Sequence, residues 1–397
     1  MNAESTISER TTAEPPPSSP TVKPRVFLVC SGLGHVRRGF ESFTQECFDA
    51  LVDSPEIDLT VFAGAGPSGK KRVSLPILRR NFALARWIER FTRYDVLYLE
   101  QTTFFLELIP YLVFRKPDVI YFSEGRIGNL LWHWRRATGA SFRLLFSNGG
   151  PLNPPFPRWD HIQQVNPLTL RLALEKSETV ERNTLLPYGF DVRRDFTPIS
   201  PKEREQVRNK LNLPTDRSLL LSVGAVNVSH KRMDYLVREV SRMQAPRPFL
   251  VLLGQQDEES IGVKNLADEL LGRNHYAIRT VEPTEVGNYY LASDVFVLAS
   301  LSEAFGRVFA EAMACGIPCV ANDYEVSRYV LGNEGRFCDM RLEGALAETL
   351  TALRNEPVSE KDQERRHAAI YSKFSWDSVR PRYIEMLHRC AALPSLS

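Results

Sequence analysis

The chain carries almost no net charge, +2 from 50 Lys+Arg against 48 Asp+Glu, which argues against a general nucleic-acid binder. Its six cysteines (Cys30, Cys47, Cys315, Cys319, Cys338, Cys390) form no C-x-x-C pair. They read as small buried apolar residues in a reducing compartment, not as a disulfide framework or zinc site. Cys315 and Cys319 are close in sequence, but one ends a helical segment and the other opens an apolar run, a poor ligand geometry. No D-x-D motif is present, so no carboxylate pair marks a metal-bound diphosphate, and no metal ligand is assigned. Neither half carries G-x-G-x-x-G: after Gly32 and Gly34 the position that would need glycine is Arg37, which disfavours a dinucleotide-dependent dehydrogenase. No run of 18 apolar residues occurs either. The nearest, Val96 to Phe114, includes Glu100, Glu107 and Pro110 and reads as a strand, Val96 to Leu99, plus a helix. Residues 1–23 are rich in Ser, Thr, Glu and Pro and lack an apolar core, so a disordered tail is expected there and not a signal peptide. The expected location is the cytoplasm.

What is present is a repeated alternation of short apolar runs and longer helical stretches, the pattern of doubly wound parallel α/β sheets. One series holds Val26 to Cys30, Leu59 to Phe62, Val96 to Leu99, Val119 to Phe122, Leu144 to Phe146 and Leu185 to Leu186. The other holds Leu219 to Val223, Phe249 to Leu253, Ala277 to Val281, Val295 to Ala299 and Pro318 to Ala321. At 397 residues, two Rossmann-like domains are expected, 24–195 and 196–375, followed by a last helix within 376–397. Charge divides unevenly between the halves. Residues 21–195 carry 24 Lys+Arg against 18 Asp+Glu, and residues 196–397 carry 25 against 27. The first half is therefore the one expected to meet an acidic surface.

The densest chemistry lies between Asp294 and Asn322. An apolar strand, Val295 to Ala299, breaks at Ser300 to Glu303 and gives way to a helix from about Gly306 to Cys315, which Gly316 ends. In parallel sheets ligands bind beyond the carboxyl ends of the strands, where Glu303 stands. The backbone NH groups of Phe305, Gly306, Arg307 and Val308 open the helix and form an anion site, and Glu311 lies two turns further in. Upstream, the strand from Ser218 ends at Gly224 and is followed by Lys231-Arg232.

The E-x7-E spacing of Glu303 and Glu311, with its A-S-D-x-F-x-L strand before and A-M-A-C-G-I-P-C-V after, resembles the signature of family 4 retaining glycosyltransferases of the GT-B fold. The resemblance runs from Pro24 to about Ala392. It implies two facing domains with a cleft between them and a last helix, around Trp376 to Leu387, that crosses back to the first domain. It also implies a nucleoside-diphosphate sugar as co-substrate, with no further cofactor. Lys231 and Arg232 would hold the diphosphate, whose charge grows as the sugar bond breaks. Glu311 would bind ribose hydroxyls and Glu303 the sugar, with Gly32, Gly34 and Gly224 shaping the loops around the donor. His35, Glu124 and Asn148 are the candidates for acceptor contact, the acceptor being a sugar, a lipid-linked molecule or a small molecule. Retention without a carboxylate nucleophile implies same-face attack, with the departing phosphate taking the acceptor's proton. Two positions depart from the family pattern: Ala225 stands where an arginine is common, and Asn148 where a histidine is common. Three other readings stay open: an inactive nucleotide-sugar binder, a dehydrogenase-like nucleotide binder, and a non-hydrolysing epimerase on the same fold.

Residues 70–93 hold eight basic residues and one acid, Glu89, with Leu78, Phe82, Ala85 and Ile88 at helical spacing. A basic amphipathic helix of this kind suits peripheral contact with an anionic membrane. The same pattern also suits an apolar face packed on the domain.

Overall fold

The computed structural model describes residues 23–36, 38–92, 94–150, 152–176, 178–192, 197–354, 356 and 359–394. The expected tail, apart from residue 23, and the expected join at 195/196 lie outside the described residues. Two sheets organise the chain, and every strand pair in both is parallel.

The first sheet has the order β3-β2-β1-β4-β5-β6-β7. Its strands are β1 (Arg25–Cys30), β2 (Asp58–Ala63), β3 (Arg72–Ser74), β4 (Val119–Phe122), β5 (Arg143–Asn148), β6 (His161–Gln164) and β7 (Asn183–Leu185). The second has the order β10-β9-β8-β11-β12-β13. Its strands are β8 (Leu219–Val223), β9 (Phe249–Leu253), β10 (Tyr276–Arg279), β11 (Val295–Leu298), β12 (Cys319–Asn322) and β13 (Arg336–Cys338). The central strands are apolar on both faces because helices cover both faces, as a parallel sheet requires. Two doubly wound α/β domains with a cleft between them is the expected fold class.

Strands β3, β6 and β13 were not expected, and two helical segments also differ from expectation. Val96 to Leu99 is not a strand: a single helix runs Val96–Arg115, because the Asp95 carboxylate caps it by accepting from the Tyr98 amide at 2.6 Å. Within 70–93 only Ala83–Phe91 is helical, since β3 and an extended stretch take up the residues before it.

The joint between the domains is aromatic. Phe43 stacks on Tyr188 (4.0 Å between centroids) and Phe190 on Phe305 (5.7 Å), while Trp376 meets Tyr383 at 4.9 Å with the rings tilted. The chain crosses this joint twice and side by side. Phe190 donates its amide to Phe374 O (2.9 Å), and Trp376 donates to Phe190 O (3.1 Å). Helix Glu360–Phe374 packs on the second domain, and Ser375 caps helix Trp376–Ala392, which returns to the first. There the Tyr383 hydroxyl donates to Pro187 O and accepts from Gln163, both at 2.9 Å. The returning helix is the expected crossover.

Five of the six cysteines are buried and Cys338 is partly so, and all six are free thiols. Among the described residues no cluster of His, Cys, Asp and Glu suits a metal ion, and no helix is long and apolar enough to cross a membrane.

Candidate active site

Strand β11 is anchored where it begins. Asp294 accepts from Arg208 (2.6 Å), Arg204 (3.1 Å) and the Leu219 amide (2.7 Å), which fixes β11 beside β8 and aligns the loops leaving both carboxyl ends. At those ends Lys231 Nζ donates to Glu303 Oε1 at 2.5 Å, so residues 72 positions apart share one site. The stem of Lys231 lies over Gly224, where a Cβ would meet three of its carbons at 3.1–3.2 Å. Glycine there leaves room for the lysine.

Gly306 adopts a left-handed conformation (φ 74°, ψ 52°) that opens helix Arg307–Ala314 directly after the Glu303 loop. The first amides of this helix are therefore aimed at the loop, which favours an anion. One turn in, Glu311 accepts from the buried Tyr290 hydroxyl at 2.9 Å and lies 3.8 Å from Arg307 Nε. Phe305 contributes backbone only, because its ring is 4% exposed and sits in the aromatic joint. Arg232, itself left-handed at φ 51°, donates to Met340 O at 2.8 Å and covers the Tyr235 ring at 4.5 Å. Its guanidinium braces the loop, which leaves Lys231 as the cation facing Glu303.

Two contacts that the sequence did not flag, one from Arg307 and one from Asn166, bind the two domains across the cleft. Arg307 donates to Glu46 of the first domain at 2.6 Å and covers Phe190 at 4.4 Å. Asn166 caps helix Pro167–Glu175 through Oδ1 and donates from Nδ2 to Ala304 O at 2.5 Å, one residue from Glu303. The Asn-Pro pair at 166–167 was a legible cap signal, but nothing in it pointed to the other domain.

In the first domain, the loop after β1 carries Gly32 and Gly34 close against Glu41 and Ala65. His35 does not stand free on this loop: Nε2 meets Glu100 Oε2 at 2.9 Å with the ring almost buried. Glu100 also takes the Arg80 guanidinium and the Arg80 amide (2.8 Å). Burial works against ionisation, yet the hydrogen bonds from His35 and Arg80 draw the Glu100 carboxyl down to about 2. Glu124, at the end of β4, accepts from the Ser31 amide (2.7 Å), the Ser31 hydroxyl and Gln101 Nε2 (3.1 Å), and burial raises its pKa. Glu124 lines a cavity of this domain. Asn148 does not reach it. Its side chain is 1% exposed and donates to Gln164 at 2.9 Å, and Gln164 donates in turn to Asn183 at 2.8 Å. This amide ladder ties β5, β6 and β7 together.

Solved structures share the architecture. Sucrose-phosphate synthase from Thermosynechococcus elongatus superposes with a TM-score of 0.74 at 18% identity, over 92% of this chain and 98% of that one. HepE from Anabaena, in complex with UDP and glucose, gives 0.71 at 14% identity, over 92% and 99%. The fold is GT-B. Within it, residues 203–373 match the family model described as Glycosyl transferases group 1. A GDP-mannose-dependent monoacylated alpha-(1-6)-phosphatidylinositol monomannoside mannosyltransferase of Corynebacterium glutamicum is 30% identical over 34% of this chain and 37% of its own length. A D-inositol 3-phosphate glycosyltransferase of Xylanimonas cellulosilytica is 34% identical over 36% and 35%. The chain spans about a third of the length of these curated relatives.

Proposed function

We propose that the protein is a family 4 retaining glycosyltransferase that moves a sugar from a nucleoside-diphosphate sugar to a hydroxyl acceptor. One observation carries this reading: Lys231 and Glu303 meet at the mouth of helix Arg307–Ala314, with Glu311 one turn inside. A cation and a helix N-terminus stabilise a departing diphosphate, and two carboxylates, Glu303 in the loop before the helix and Glu311 one turn inside it, hold sugar and ribose hydroxyls. Lys231 supplies the charge that a metal would otherwise supply. The acceptor oxygen attacks from the face the diphosphate leaves, bonds to the anomeric carbon as the phosphate bond breaks, and passes its proton to the departing phosphate oxygen. One of the named relatives is GDP-mannose-dependent and the other is named for D-inositol 3-phosphate, in keeping with this reading.

The test is nucleoside diphosphate release from UDP-, GDP-, ADP- and dTDP-sugars by wild type, Glu303→Gln and Lys231→Ala. Release from one donor, suppressed in both variants, is expected; release that ignores Glu303→Gln would sink the assignment. A second reading, a nucleotide-sugar binder without turnover, draws on Ala225 and on the burial of Asn148. Donor binding with no release in the presence of sugar, lipid-linked and small-molecule acceptors would favour it.

A further inference from the structure

The first domain contains a cavity of about 1130 Å³ that the donor chemistry leaves unused. Its rim at Arg38 and Phe40 flanks Gly39, where a Cβ would lie 3.6 Å from Arg307 of the second domain, so this rim faces the cleft. The lining has two characters. Arg126 and Arg158 contribute guanidinium groups, Arg38 is paired with Glu41 (3.2 Å), Glu124 is taken up by Ser31 and Gln101, and Leu152, Phe156 and Trp159 are apolar. Arg126 is held by the Thr102 hydroxyl (3.0 Å) and Arg158 by Asn129 Oδ1 (2.9 Å), neutral partners that fix the groups without cancelling their charge. Such a lining suits a molecule with an anionic head and an apolar stem.

Leu97 joins this cavity to the surface. It lines the cavity and is itself exposed, and the helix it opens packs against helix Ala83–Phe91, whose Leu84, Trp87 and Phe91 form an exposed apolar strip, with exposed Tyr94 following. Trp87 is 60% exposed and Phe91 70%, with their rings 5.0 Å apart. Positions 84, 87, 88 and 91 share one helical face that is largely exposed, whereas on the face read from the sequence (Leu78, Phe82, Ala85, Ile88) Ala85 is buried and Leu78 and Ile88 are partly so. The exposed cations Arg86 and Arg90 lie on the same helix. An aromatic face bordered by arginines is the composition of a helix lying in an anionic lipid interface.

We propose that the strip docks on an anionic membrane surface, and that the cavity takes the anionic, sugar-accepting headgroup of a lipid whose chains remain in that surface. This names the acceptor class and rests on the glycosyltransferase reading above. Arg126 and Arg158 hold the charged head, Leu97 and Leu152 the first carbons of the stem, and the accepting hydroxyl faces the cleft.

The test uses the full chain and three probes. With vesicles of phosphatidylcholine containing 30% phosphatidylglycerol (about the anionic fraction that gives such surfaces their potential), wild type should sediment, and with phosphatidylcholine alone it should not. Trp87→Ser/Phe91→Ser should lower that binding at least about tenfold. Monomeric dihexanoyl phosphatidylglycerol should bind wild type and the strip variant alike, and bind Leu152→Glu, an exposed substitution, at least about tenfold more weakly. No sedimentation, equal sedimentation with neutral vesicles, or an unaltered strip variant overturns the docking surface. Unaltered binding by Leu152→Glu overturns the cavity. UDP and GDP titrated into the same samples separate the two readings. Lost lipid binding with nucleotide binding intact overturns this inference alone, and absent nucleotide binding counts against the glycosyltransferase.

Discussion

Arg307 and Glu46 belong to different domains and form an ion pair at 2.6 Å, with both side chains largely buried. Burial lifts the Glu46 carboxyl above its usual range even though Arg307 opposes the shift. The helix whose first turn we propose to face the donor is therefore the helix that grips the opposite domain.

Breaking this pair from either side leaves a half-buried charge without its partner. Arg307→Ala and Glu46→Ala should each cost about 1–3 kcal/mol in urea unfolding, and the double variant should cost clearly less than their sum. Additive losses would mean that the two residues act separately.

Lys231 is expected to govern nucleotide affinity. Lys231→Ala should weaken binding of the accepted nucleoside diphosphate in calorimetry by about 1.5–3 kcal/mol, the worth of a hydrogen bond to a charged group. Glu303→Gln should leave that affinity within about twofold, because the nucleotide alone lacks the sugar that Glu303 would hold. Equal losses in both variants would place Glu303 on the diphosphate instead.

Two glycines should respond in opposite directions to alanine. Gly306 is left-handed, and a Cβ there would meet Phe309 at 2.9 Å, so Gly306→Ala should destabilise by about 1–2 kcal/mol. Gly262 lies within helix Glu259–Leu270 with nothing within 4 Å of a Cβ, so Gly262→Ala should stabilise by about 0.5–1 kcal/mol. Thermal unfolding of the two variants decides both.

His161 sets an acid limit. Burial, followed by the charges of Arg389 and Arg182, lowers its pKa to about 4 from 6.5. Between those values the unfolded chain binds a proton that the folded chain refuses, so stability falls as pH drops through 6.5 toward 4 and is unaffected by this group above that window. The loss from pH 7 to pH 5 should be about 2 kcal/mol, and His161→Gln should remove most of it. An unchanged pH profile in that variant would assign the acid sensitivity elsewhere.

The strands that were legible in the sequence are those that bury carbon. Val119–Phe122 and Phe249–Leu253 are continuous apolar runs, and no periodicity is needed to find them. His161–Gln164 was missed because three of its four buried side chains are polar (HIQQ) and find their hydrogen-bond partners on other elements, a property no local pattern records. Val96 to Leu99 was misread as a strand because an apolar start looks the same in both elements, and the Asp95 cap decides between them. The donor site was readable because Gly224, Lys231, Glu303, Gly306 and Glu311 lie on two short segments at fixed spacing. The cavity was not, since its arginines come from three separate segments that only folding brings together. Asp294 illustrates the remaining gap: it belongs to the recognisable strand motif, but its work is to take up Arg204 and Arg208.

The double crossing at Phe190 and Ser375 has a consequence for anyone dissecting this chain. The amino-terminal unit is discontinuous: its last helix is encoded some two hundred residues after its last strand. A fragment ending before the carboxyl-terminal unit would leave Pro187 O and Gln163 without the Tyr383 hydroxyl and uncover Tyr188 and Phe43. Dividing the protein into separately folding pieces therefore calls for splicing residues 376–394 onto the amino-terminal piece. A protease cut within one crossing strand leaves the other strand and the returning helix to hold the halves together.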